Sequence, residues 1–215
     1  MSDLLEDIPA FTAASFLDMV VEVPCHEGLP KEPYRKPYLL PDTSMLMEEE
    51  ATALVAISCG LQGIYLALLV EKPFEEAVFP EVYEGDAWEV FIDTRDRKTA
   101  GVLHKFCHHF VFLPKEVEGV QACEMTRLRA EDAHPLCDPK FLQVEAMFKK
   151  KAYELRVFID KEALHGYDPG QFQRLGFTYR LHRKGDSPQH FNLGSQEYGI
   201  EKHPSLWASL KLTKE

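Results

Sequence analysis

The sequence lacks the local signatures that would assign an activity directly. It holds no glycine-rich phosphate loop, no nucleophile elbow, no His-Glu-x-x-His pair and no Cys-x-x-Cys redox pair. Its longest apolar run, Ile64 to Val70, falls far short of the ~20 residues that span a bilayer. The stretch from Met1 to Ala10 carries acids and a proline where a secretory signal carries basic residues and an apolar core. A cytoplasmic protein is therefore expected, unless it is exported by a route that leaves no such signal. Cysteine is sparse and odd in number. Cys25, Cys59, Cys107, Cys123 and Cys137 read as free thiols in a reducing compartment, not as a disulfide frame. Basic charge is scarce too: 24 Lys and Arg stand against 35 Asp and Glu, a net charge of -11. With no basic run to offset that balance, neither a nucleic acid nor an anionic membrane surface is expected as a partner.

What remains is an ordinary globular composition, 45% hydrophobic and 27% charged, in 215 residues, enough for one well-filled β domain. The chain is organised around Gly85 to Asp93, Gly-Asp-Ala-Trp-Glu-Val-Phe-Ile-Asp, a strand that ends in the turn Thr94-Arg95-Asp96-Arg97. Alternation puts Trp88, Val90 and Ile92 on one face and Glu89, Phe91 and Asp93 on the other. A carboxylate, an aromatic and a carboxylate in a row read as the wall of a groove. The reading for Asp93 and Asp96 in the turn is that they accept backbone donors there.

The remaining strands follow from the same period of two. Phe16 to Val23 forms a first strand, and five prolines from Pro24 to Pro41 keep the next stretch extended along the surface. Ala51 to Ser58 and Gly63 to Val70 make a hairpin around Gly60, the second strand central because both its faces are apolar. Lys105 to Leu113 pairs with Val120 to Arg129 around Pro114-Lys115-Glu116 and Gly119. Leu142 to Phe148 and Tyr153 to Ile159 form another hairpin, followed by a helical turn at Lys161 to His165. Arg174 to His182 and the tail from Pro204 to Leu212 complete the set. About nine strands with hairpin connections and few helical turns describe an all-β, antiparallel β-sandwich with jelly-roll or immunoglobulin-like layering. Residues 1–50 are expected to be an extended arm that packs on a single sandwich of residues 51–215.

The densest group of reactive side chains is His104-Lys105-Phe106-Cys107-His108-His109-Phe110. On a strand, His104 and His108 lie ~13 Å apart, too far to share a metal ion. Cys107 and His109, two apart on one face, are the candidate metal ligands if another strand supplies acids. Arg156 and Arg180 can grip a ligand or pair with Glu89, Glu145 or Glu154. Trp88 reads as core, whereas Trp207, between Ser205 and Ser209, is a candidate stacking surface for a sugar ring.

Three of these segments together resemble carbohydrate-binding module family 9 and the wider DOMON-like β-sandwich group. They are Gly85 to Asp93, with a GDxxExFxD-like pattern; Tyr153-Glu154-Leu155-Arg156-Val157-Phe158-Ile159, leading into a short turn; and Leu175-Gly176-Phe177-Thr178-Tyr179-Arg180. With Trp207 they cover most of Ala51 to Leu212. The chain is also similar to stand-alone bacterial proteins that carry the Phe106-Cys107-His108-His109-Phe110 stretch. The family resemblance implies a sandwich that binds sugars without catalysis, and ions that are often structural calcium. The expected function is thus binding of a carbohydrate or similar polar small molecule. Glu89 is the expected acceptor, Arg180 the charged donor and Trp207 the stacking surface. Two rivals stand beside it: a metal-dependent enzyme using Cys107, His109 and Glu89, and a protein-interaction module docking through Pro24 to Pro41.

Overall fold

Side-chain alternation and tight turns shape residues 19–194 and 199–213, the residues that the computed structural model describes. These residues form eleven strands: β1 Val20–Pro24, β2 Ala53–Cys59, β3 Gly63–Val70, β4 Ala87–Asp93, β5 Cys107–Val117, β6 Val120–Glu124, β7 Leu142–Lys149, β8 Ala152–Asp160, β9 Arg174–His182, β10 Gln189–His190 and β11 Ala208–Thr213. Helical structure among them is confined to turns of three or four residues. One of these, Lys161–Ala163, falls where a helical turn was expected, and Asp160 caps it by accepting from the Glu162 amide at 2.9 Å. No helix among the described residues is long and apolar enough to cross a membrane.

Two sheets result. The first runs β1-β11-β9-β4-β5-β6, with β10 also on β9, and the second runs β2-β3-β8-β7. Trp88, Val90 and Ile92 of β4 meet Leu66 and Leu68 of β3 and Leu155 and Val157 of β8 in one core between the sheets. The expected inner face of the organising strand is therefore the observed one, and β3 is central as its two apolar faces implied.

Every pairing among the described strands is antiparallel except β1 with β11, which is parallel from Val20↔Ser209 to Pro24↔Thr213. The chain leaves β1 for the opposite sheet and does not turn back in a hairpin, so β1 has no adjacent antiparallel partner to follow. Of the first expected strand, Phe16 to Asp18 lie outside the described residues. The proline-rich stretch covers the edge of β2, where Leu40 donates to the Val55 carbonyl and Ile57 to the Tyr38 carbonyl, both at 2.9 Å. One local expectation needs correction. The β5–β6 turn is Glu118-Gly119, both at positive φ (52° and 84°), not Pro114 to Glu116. Pro114 stays in the strand because the register shifts between Phe112 and Val117, where a missing N–H is tolerated. Gln189–His190 is a two-residue strand, too short to show a period.

Gly63 opens β3 at a φ of 154°, and a β-carbon there would stand 2.1 Å from the Ile159 carbonyl oxygen. Gly63→Ala is expected to lose about 1–3 kcal/mol in urea denaturation. Gly101→Ala, where a β-carbon meets nothing within 4 Å, is expected to stay within about 0.5 kcal/mol of the wild type. Equal midpoints for the two variants would refute the packing argument.

Candidate ligand site on the outer sheet face

Because Trp88, Val90 and Ile92 turn inward, Glu89, Phe91 and Asp93 turn to the outer face of the first sheet. The ladder sets Glu89 beside Arg180 of β9, Phe91 beside His109 of β5 and Ala87 beside His182 of β9. The Glu89 carboxylate therefore sits among three donors. His109 Nε2 donates to Oε1 at 2.9 Å, and Arg180 Nε and His182 Nε2 each donate to Oε2 at 2.5 Å. Burial by itself raises the Glu89 carboxyl, but the hydrogen bonds from His109, His182 and Arg180 outweigh it and hold the group far below the usual carboxylate range. His109 also stacks on Phe91, ring centroids 4.3 Å apart. Exposure within the group is uneven: the Arg180 and His109 side chains keep 18% and 16%, whereas Glu89 keeps 3%. The acid is the anchor and the basic groups form the surface. Arg180 Nη1 stands 4.0 Å from Glu201 Oε2, and its terminal nitrogens make no hydrogen bond to a described residue.

The groove wall expected from Glu89, Phe91 and Asp93 is not open. Leu103 from the loop after β4, and Leu193, Ile200 and Leu206 from the chain between β10 and β11, pack over Phe91 and Cys107. Trp207 belongs to this second core and is not a stacking surface. It is 1% exposed, lies 5.9 Å from the Phe91 ring and donates through Nε1 to the Ile200 carbonyl at 2.7 Å. Neighbouring serines suggested exposure, but Ser209 is itself buried and bonds to Asp96. Asp93 caps its turn as expected, accepting the Arg95 and Arg97 amides at 2.9 and 2.6 Å. Arg156 forms the expected alternative, a 3.0 Å bond to Glu154, and donates to the Pro30 and Lys31 carbonyls of the arm.

Cys107 and His109 do not converge on one centre. His109 is committed to Glu89, while the Cys107 thiol lies 3.5–3.6 Å from the His104 ring nitrogens, and Asp93 Oδ2 lies 3.5 Å from His104 Nε2. Burial pushes the Cys107 thiol well above its ordinary value. His104 is not on the strand at all, because Cys107 turns back to donate to its carbonyl at 2.8 Å. Among the described residues, one further group besides Asp93, His104 and Cys107 has ligand atoms within 4.8 Å of one another: His108, Glu124 and His134. Neither is the all-oxygen cage that calcium prefers. Nothing local in the sequence joins Glu124 and His134 to His108, because His134 lies in the loop between β6 and β7. The one available signal was His108, which alternates inward with Phe110 and so needs a buried partner.

No protein-family model matches the chain, and no curated protein matches it significantly. Solved structures do. A carbohydrate-binding module of family 9 from Caldicellulosiruptor kristjanssonii, in complex with cellotriose, matches over 91% of this chain and 94% of its own, with a TM-score of 0.61 at 14% identity. The chain has the fold of a family 9 carbohydrate-binding module. The same organism's module in complex with glucose matches at TM-score 0.59 and 15% identity, over 91% and 96% of the two chains. A proposed carbohydrate-binding protein from Bacteroides uniformis matches at 0.53 and 10%, over 91% and 99%. Each likeness covers 91% of this chain.

Proposed function

We propose that this protein is a non-catalytic carbohydrate-binding protein that grips sugar hydroxyls at the surface formed by Arg180 and His109. The observation that carries this reading is the anchoring of Arg180. Glu89 holds its Nε, which fixes the plane of the guanidinium and leaves the terminal nitrogens as donors for a pair of hydroxyl oxygens. Support comes from the shared fold, since the two family 9 modules that match were seen with cellotriose and glucose.

A second location is favoured by one observation. The outer face of the second sheet holds a cavity of about 310 Å³ lined by aromatic rings. Tyr65 and Phe158 line it, stacked 4.6 Å apart, together with Arg156 and Glu145. Calorimetric titration of glucose and cellotriose into three proteins distinguishes the two. Arg180→Ala is expected to weaken binding at least tenfold, while Phe158→Ala stays near the wild type. Loss in Phe158→Ala alone would move the site to the second sheet. No binding by the wild-type protein to either sugar would overturn the reading for these ligands.

A further inference from the structure

On the opposite side of β5 from Glu89, three side chains bring polar atoms to one point. His108, second on β5, shares the inward face with Phe110, and Glu124 ends β6 directly beside Phe110. His134 reaches in from the loop 125–141. Nδ1 of His108 and Nε2 of His134 each lie 2.8 Å from Glu124 Oε1. All three residues are buried, at 1%, 6% and 8% exposure for His108, Glu124 and His134.

The hydrogen-bond chemistry of His134 calls for a cation there. Its Nδ1 lies 2.8 Å from the Lys105 carbonyl oxygen, which can only accept, so Nδ1 carries the hydrogen. In a neutral imidazole Nε2 is then a bare lone pair, facing a carboxylate oxygen at 2.8 Å. Two acceptors that close need a proton or a metal ion between them. The surroundings are those that orient metal ligands: a carbonyl on the far nitrogen of His134, the Cys137 amide on Glu124 Oε2 at 2.7 Å, and the Thr126 hydroxyl on Oε1 at 2.7 Å.

We propose that His108, Glu124 and His134 bind one divalent transition-metal ion, with zinc the best match. Two imidazoles and a carboxylate suit zinc or ferrous iron and not calcium. Bonds of about 2.0–2.1 Å at tetrahedral angles place ligand atoms ~3.3 Å apart, so closing on an ion requires the nitrogen–oxygen contacts to open by about half an ångström. Such a shift lies within the reach of a loop-borne His134. The ion joins β5, β6 and the loop 125–141, so it stabilises the fold at this corner. The site is separate from the sugar-binding surface and stands or falls without it.

The test is metal analysis by mass spectrometry on the untagged full chain, loaded with zinc and then dialysed against metal-free buffer. One zinc per chain is expected, with a melting temperature raised by zinc and not by calcium. His134→Gln and Glu124→Gln are each expected to weaken zinc binding at least tenfold, while His104→Asn keeps one zinc per chain. Background zinc in the wild type overturns the proposal, and so does undiminished binding in both variants, which would mean surface ions only. If either variant fails to fold, cobalt titration of the wild type decides. Intense visible bands of four- or five-coordinate cobalt that zinc abolishes support the site, and weak octahedral bands or none overturn it.

Discussion

Glu89→Ala is expected to lower folding stability by about 3–5 kcal/mol, because it leaves the part-buried Arg180 and the two imidazoles without their shared acceptor. Arg180, His109 and His182 converge on that one carboxylate, which is 3% exposed. Removing it sets three donors against one another in a site with little access for water. Glu89→Gln keeps the shape but not the charge, so it separates packing from electrostatics and is expected to lose a large part of the same energy. The effect also has a pH signature. The folded carboxyl lies below its ordinary value despite burial, owing to His109, His182 and Arg180. A group depressed on folding contributes stability that is present above its unfolded pKa, about 4.3 for glutamate, and is lost as pH falls toward the folded value. The gap between wild type and Glu89→Gln in guanidinium denaturation is therefore expected to be full at pH 7 and to shrink below about pH 4. A gap that does not change between pH 7 and pH 3.5 would sink the electrostatic account.

Trp207→Ala is the second large effect, at about 3–5 kcal/mol, the usual range for truncating a buried aromatic side chain. The indole fills the space between Phe91, Leu193 and Ile200, and its N–H is used. Trp207→Phe keeps most of the volume and loses the bond to Ile200, so it is expected to lose only about 1–2 kcal/mol. Thermal denaturation of the pair checks the order. The stacking role makes the opposite prediction: sugar affinity would fall in Trp207→Ala while stability stayed within about 0.5 kcal/mol. Both measurements on one variant decide between a ligand platform and a second core.

These two residues show where a linear reading stops. Glu89 was picked out by its place on a strand whose inner face was plain, and Arg180 by its place in another such strand. Period-two alternation is a local property, and it carries the side of the sheet with it. Neither residue's immediate neighbours, however, state that β4 and β9 are adjacent, because 80 residues of hairpins and loops lie between them in the chain. Their pairing follows from the order of strands in the sheet. Trp207 failed for a related reason. Its flanking serines looked like a solvated surface, but the chain between β10 and β11 folds back across the sheet and buries it. Loops carry no period, so their landing place is not written in them.

The sequence by itself determined the all-β class, the hairpins, the central place of β3, the inner face of β4, and the turn role of Asp93. All of these rest on residues within a few positions of one another, where backbone geometry acts directly. Only the tertiary structure decided that Phe91 and Cys107 are roofed, that Cys107 and His109 go to different partners, and that His134 meets His108 and Glu124. The physical reason is one and the same. A buried charge must find its counter-charge wherever packing brings one, and packing joins residues that the chain keeps far apart.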